Sequence, residues 1–319
     1  MRSAVLQVPG ARLYYEVRGH GPVLLMIHAG GASARSLNGI AERLDDQFTV
    51  VTYDRRGLAR STLDDPDAEQ RVETHSDDAK CLLDLLSPDP AYVFATSGGA
   101  VIALDLVARN PGRLRTLVAH DPPARYLLED NAPSRGEALA VYRRDGVEAA
   151  TRLLFARIGQ RKGGAANPGT LMPRSLSDRT FLFEQELPMY GRYRLDVPVL
   201  QEAAHVTRIV LAGADTNREH VGYRSAAALA ACLGTTLVGF PGDHAGYVSQ
   251  AQVLAPVSRK KMAATSSWIR TASKGAFPTP RPRHPTWTGR ADVRHEAGDA
   301  GRPRFIVGGW TLYSRQARR

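Results

Sequence analysis

The segment Tyr92-Val93-Phe94-Ala95-Thr96-Ser97-Gly98-Gly99-Ala100-Val101-Ile102 runs an apolar strand pattern into a serine, two glycines and a helical pattern. A hydroxyl at such a junction can stand above a sheet as a nucleophile. The glycines could equally serve packing alone, or cradle a phosphate at the helix N-terminus. No Gly-Lys-Ser/Thr follows them and no Gly-x-Gly-x-x-Gly occurs, so both nucleotide fingerprints fail. Other polar groups also stand where apolar runs end. His28 follows Val23-Leu24-Leu25-Met26-Ile27 and opens Ala29-Gly30-Gly31, and Gly213-Ala214-Asp215 closes the run from Val206. His244 lies in Phe240-Pro241-Gly242-Asp243-His244-Ala245-Gly246. Taken singly, the aspartate reads as a turn residue and the histidine as a surface loop residue. Together, a hydroxyl, a carboxylate and an imidazole are the parts of nucleophilic catalysis.

These segments resemble the α/β-hydrolase fold family over roughly residues 4–250. Ala95-Thr96-Ser97-Gly98-Gly99 is similar to the Gly-x-Ser-x-Gly nucleophile elbow, with Ala95 in place of the first glycine. The resemblance implies Ser97 as nucleophile, in a strained turn that aims the Gly98 amide at a developing oxyanion. His28-Ala29-Gly30-Gly31 resembles the family's His-Gly loop, which implies Gly30 as the second oxyanion donor and His28 as a loop anchor. Ala29 departs from the usual glycine. The order Ser97…Asp215…His244 matches the family's serine–acid–histidine order, so the resemblance implies Asp215 as the acid and His244 as the base. Asp121, in His120-Asp121-Pro122-Pro123, is a rival acid, since some relatives place it after that strand; its rigid exit suits shaping the chain instead. Tyr53-Asp54-Arg55-Arg56-Gly57 with Arg60-Ser61 is similar to a further family stretch, in which Asp54 organises the turn.

Positioning these residues requires a particular set of elements. The runs 4–8 and 11–17 alternate as a hairpin around Pro9-Gly10. The runs 22–28, 48–53, 91–96, 113–119, 206–212 and 235–240 predict strands, several apolar on both faces, as in a buried parallel sheet. Helical patterns lie between them near 34–45, 72–87, 98–109 and 219–232. The expected fold class is therefore α/β: a doubly wound, mostly parallel sheet with a helical cap insertion. Residues 1–121 and 199–257 form the core, and 122–198 the cap, with a strong helical stretch at 136–158. After Ala255-Pro256 the pattern dissolves, and Pro256 with Arg259-Lys260-Lys261 interrupts the last helix that family members carry. Residues 258–319 are expected to be a disordered basic tail. That tail carries a net +11 and all three tryptophans, leaving the other residues near neutrality at −1. The overall charge of +10 is thus no argument for specific nucleic-acid binding.

Composition excludes several classes. With 43% hydrophobic and 23% charged residues the chain is globular in type. Cys81 and Cys232 are too few for a disulfide framework or a thiolate zinc site. No His-Glu-x-x-His occurs, and neither a metal nor another cofactor is expected. The longest aliphatic run, Val23–Ile27, is far short of the ~20 residues of a membrane span, and no secretory signal is visible. A cytoplasmic protein is the default expectation. The activity expected is hydrolysis of a small-molecule carboxylic ester or lactone through an acyl-enzyme. A serine at position 97 argues against epoxide and haloalkane chemistry. C–C bond hydrolysis, cofactor-free haloperoxidase chemistry and a non-catalytic binding protein on the same fold stay open. Cap residues, chiefly Phe155, Phe181 and Tyr190, are expected to meet an apolar substituent of the substrate.

Overall fold

The computed structural model describes residues 1–128, 135–157 and 175–263, and the short strands Ile306–Val307 and Trp310–Thr311, which pair antiparallel with each other. In the compact unit Met1–Ser273 the strands are β1 (Arg2–Val8), β2 (Ala11–Arg18), β3 (Val23–Ile27), β4 (Thr49–Tyr53), β5 (Thr62–Leu63), β6 (Ala91–Thr96), β7 (Leu114–His120), β8 (Arg208–Ala214) and β9 (Val238–Phe240). They form one sheet in the order β1-β2-β4-β3-β6-β7-β8-β9, with β5 added against β2. The β1–β2 hairpin turns at Gly10, whose φ of 75° suits glycine. Every pairing from β4 to β9 is parallel.

Side-chain parity builds the two layers. Leu25, Ile27, Val93, Ala95, Leu117 and Ala119 face one way, against the helices Val72–Leu86, Gly98–Arg109, Val197–Ala203 and Val221–Cys232. Leu24, Met26, Phe94, Val118 and Ala212 face the other, against the residues of 37–44 and the C-terminal helices. Both faces are covered, so the central strands are apolar on both sides. The chain runs from β3 to β4 on one side and resumes at β6 on the other. The carboxyl ends of β3 and β6 therefore flank the point where strand order reverses, the favoured place for a ligand crevice in such sheets.

The last helix corrects one expectation. Ala251–Ala263 is helical, with Pro256 inside it. Residues Ala251, Leu254, Ala255, Ser258 and Met262 are buried. Their spacing is a helical stripe that remains legible through the basic run, since Lys260 and Arg259 lie off it. Arg259 itself reaches the Asp46 carboxylate at 2.8 Å. Pro256 removes one hydrogen bond, and the burial of the stripe outweighs that loss. Apart from the short strands Ile306–Val307 and Trp310–Thr311, the remainder of the predicted tail, with Trp268 and Trp287, lies outside the described residues. Leu254→Ala is expected to lower unfolding free energy by about 3 kcal/mol, and the exposed Val253→Ala by under about 0.5 kcal/mol, both read from urea midpoints. Equal, small effects would show that this helix does not cover the sheet.

Between β7 and β8 stand the helices Arg135–Arg157, Leu176–Phe181, Leu187–Arg192 and Val197–Ala203, with a π-helical turn at Leu182–Glu186. The first is broken at Gly146, where φ is 81° and ψ 178°. Residues 158–174 of this insert lie outside the described residues. No helix among the described residues is long and apolar enough to cross a membrane.

Candidate active site

β6 ends at Thr96 and the next helix begins at Gly98, leaving Ser97 between them at φ 54°, ψ −125°. A residue with a Cβ held there costs about 1–3 kcal/mol and persists only where neighbours fix it. The Ser97 N–H donates to the His120 carbonyl at 2.8 Å, and the Ser97 carbonyl accepts from Ala100 N–H at 2.9 Å. A methyl group on Gly99 would lie 2.4 Å from the His28 carbonyl oxygen, so only glycine lets the helix approach β3 this closely. Ala95 is fully buried between Ile27 and Ala119 of the adjoining strands, a space that holds one methyl group in place of the motif's glycine.

His244 is buried, and its Nδ1 lies 2.9 Å from Asp121 Oδ2. The imidazole's partner is thus Asp121, and the expectation for Asp215 is corrected. Asp121 follows β7 directly, at φ 47°, and its N–H donates to the Ala212 carbonyl of β8. That turn carries its carboxylate over the end of β8, where Oδ1 accepts the Ala214 N–H at 3.2 Å. Asp215 lies one residue beyond that strand end and is exposed. Its carboxylate rests over Gly239, where an added methyl group would lie 2.2 Å from Oδ1. The segments after β8 and β9 do meet, the Asp215 N–H donating to the Phe240 carbonyl at 2.9 Å and the Thr216 N–H to the Gly242 carbonyl at 3.2 Å, but the carboxylate that reaches His244 is that of Asp121. Burial alone raises the Asp121 pKa, but the fields of His120, His244 and His220 and the hydrogen bond to His244 outweigh it and hold the carboxyl at about 2. Asp121 is therefore ionised at neutral pH, able to orient and stabilise an imidazolium.

The loop after β3 is held from several sides. His28 is fully buried; its Nε2 accepts the Arg55 N–H at 3.2 Å, which leaves the proton on Nδ1 to bond the Ala29 carbonyl at 2.9 Å. Burial, then the charge of Arg55, keeps this imidazole's pKa well below its usual value. Gly30 lies beside Leu182 and Tyr190, and a methyl group on Gly98 would lie 2.5 Å from Tyr190 Cζ. Tyr190 therefore covers both glycines singled out from the sequence as oxyanion donors. Asp54 accepts from the Ala34 N–H at 2.8 Å and the Arg60 Nε at 2.6 Å, tying the adjoining turns together. Phe181 is elsewhere: it packs on Gly57 and borders a groove of about 570 Å³ with Pro66, Asp67, Leu176 and Thr180. The side chain of Phe155 is outside the described residues.

Three neighbours escaped sequence reasoning. Arg55 and Glu186 are both fully buried, and their side chains pair at 2.5 Å. Glu186 carried no signal, being far along the chain from the loop it touches. His220 caps the helix Val221–Cys232 by accepting the Gly222 N–H at Nδ1, and its ring centroid is 4.5 Å from that of His244. Burial, helped by His244, lowers the His220 pKa to about 3, so it is neutral. Asp121, His220 and His244 offer ligand atoms within 4.8 Å of one another, a grouping that could hold a metal ion and that the sequence did not suggest. In the described geometry His244 Nδ1 and Asp121 Oδ2 bond each other directly.

Residues 22–184 match the alpha/beta hydrolase fold family. A Bacillus subtilis (strain 168) protein named as an uncharacterized hydrolase, YraK, is 39% identical over 249 residues, covering 77% of this chain and 91% of that one. The chain belongs to the α/β-hydrolase fold family. Among solved structures it is similar to a thermophilic esterase from Thermogutta terrifontis, with a TM-score of 0.68 at 17% identity over 85% of this chain and 99% of that one. The enol-lactonase from Burkholderia xenovorans LB400 gives a TM-score of 0.60 at 18% identity, over 81% of this chain and 99% of that one. At these identities the likeness to both structures is one of fold.

Proposed function

We propose that the protein is a serine hydrolase that cleaves a small carboxylic ester or lactone through an acyl-enzyme. Ser97 is the nucleophile, His244 the general base and Asp121 the acid that orients it. The observation that carries this reading is the buried Asp121–His244 contact of 2.9 Å, which shares one sheet edge with a serine at positive φ. Ser97 attacks the substrate carbonyl as His244 Nε2 takes its proton, while Nδ1–H stays bonded to ionised Asp121. The Gly30 and Gly98 amides receive the oxyanion of the tetrahedral intermediate. His244 then protonates the leaving alkoxide, and water reverses the sequence to release the acid. In a lactone the leaving alkoxide remains tethered to the acyl group, so one hydroxy acid is released.

Leu182 and Tyr190 beside Gly30 supply an apolar wall next to the reacting carbonyl, which suits a compact apolar acyl group. The insert between β7 and β8 thereby acts as a cap. The similar esterase and enol-lactonase are consistent with this substrate class. A panel of chromogenic esters and lactones, with fluorophosphonate labelling alongside, tests the reading. Turnover of short acyl esters or lactones with label on Ser97 is expected. Well-folded protein that neither turns over the panel nor takes up label would favour a binding role for the fold.

A further inference from the structure

We infer that the buried pair Arg55–Glu186 is a clamp that sets the direction of the Gly30 amide, making both residues positioning residues for the oxyanion hole. This rests on the proposed role of Gly30. The carbonyl of Ala29 and the N–H of Gly30 belong to one peptide unit, and in a trans peptide they point in opposite directions. Whatever holds the carbonyl therefore aims the N–H. The Ala29 carbonyl accepts from Arg55 Nη2 at 3.0 Å, His28 Nδ1 at 2.9 Å and the Ala32 N–H at 3.3 Å. The next peptide unit is held as well, because the Gly31 N–H donates to Glu186 Oε2 at 2.6 Å. Both peptide planes of Gly30 are thus fixed by the two ends of one ion pair, Arg55 Nη1 to Glu186 Oε1. Tyr190 joins the same network, its hydroxyl accepting from Arg55 Nη1 at 3.1 Å and donating to Glu186 Oε1 at 3.4 Å.

A clamp is needed because glycine has the widest backbone freedom, whereas an oxyanion donor is useful only if it is aimed before charge develops. The charges also matter. A buried carboxylate beside the loop opposes a nearby oxyanion, and the Arg55 guanidinium cancels it. Glu186 ends a π-helical turn of the insert, a rare geometry often found where a helix is adapted to a site. The insert thereby contributes to the chemistry of the core as well as covering it.

The test is a set of variants assayed on para-nitrophenyl acetate, with thermal unfolding measured on each. Replacing a buried ion pair by apolar residues of similar size is often neutral for stability, so Arg55→Met/Glu186→Leu is expected to fold as wild type does. Its kcat is expected to fall about 100-fold, as for loss of one oxyanion donor, with KM within about threefold. Labelling by a fluorophosphonate should slow in parallel with kcat. Arg55→Met alone leaves the Glu186 charge uncancelled and should lose more kcat than the double variant. Glu186→Gln keeps an acceptor for Gly31 and the side chain's shape, so it should fold and lose an intermediate amount. A folded double variant, or a folded Glu186→Gln, with wild-type kcat overturns the clamp. Ser97→Ala in the same series separates the two claims. If Ser97→Ala keeps its turnover, the nucleophile reading falls and the clamp with it. If Ser97→Ala is inactive while the double variant is fully active, the clamp alone falls.

Discussion

Replacing Ser97 with alanine is expected to lower kcat by about 10⁶, the order of loss when a serine-protease nucleophile is removed. The fold should survive. Alanine keeps the Cβ, and the Ser97 backbone bonds to His120 and Ala100 need no hydroxyl. Relief of side-chain crowding is not expected to matter, because the strain at φ 54° belongs to the backbone and to any residue with a Cβ. Activity on para-nitrophenyl acetate and far-ultraviolet circular dichroism, read on one preparation, check both halves. Turnover near wild type in a folded variant would remove Ser97 as nucleophile. His244→Ala should be comparably damaging, since nucleophile and base act as a unit.

Asp121→Asn is expected to lower kcat by about 10⁴ with little change in KM, whereas Asp215→Asn should stay within about threefold of wild type. The reason is geometric and electrostatic. Asp121 holds His244 Nδ1 at 2.9 Å with a carboxylate ionised down to about pH 2, whereas the asparagine amide carries no charge and, with its NH2 toward the ring, selects the wrong imidazole tautomer. Asp215 lies exposed over Gly239, and no hydrogen bond joins it to His244 among the described residues. Steady-state kinetics of the two variants side by side decide the matter. A collapse in Asp215→Asn with an active Asp121→Asn would return the acid role to Asp215.

The depressed pKa of Asp121 also has a consequence for stability. A carboxyl held at about 2 when folded, against an ordinary value near 4 unfolded, stabilises the fold above that ordinary value. The contribution is lost as pH falls through the interval between the two. Below it, protonated Asp121 no longer offers the His244 ring a charged acceptor.

The amino-acid sequence alone determined the strand and helix alternation, the β1–β2 hairpin, the serine at the end of β6 and the histidine after β9. These are local features. Apolar runs bury on both faces of a sheet wherever they occur, and a Ser-Gly-Gly junction between strand and helix needs only its own residues to make a turn. The Ala251–Met262 stripe was legible in the same way, but Pro256 and the run Arg259-Lys260-Lys261 masked it, although neither prevents one helical face from packing. What tertiary structure decided was which distant groups meet. Asp121 and Asp215 each follow directly on a strand, and the order of serine, acid and histidine along the chain favoured Asp215. The positive φ at Asp121 and the hydrogen bond of its N–H to Ala212 turn its carboxylate toward His244 instead. Glu186 reached Gly31 across 155 residues by a π-helical turn, and Arg55 joined them by burial of a charge that needed a partner. Such contacts depend on the angle at which a strand ends and on the neighbours that neutralise a buried charge, and those belong to the folded chain as a whole.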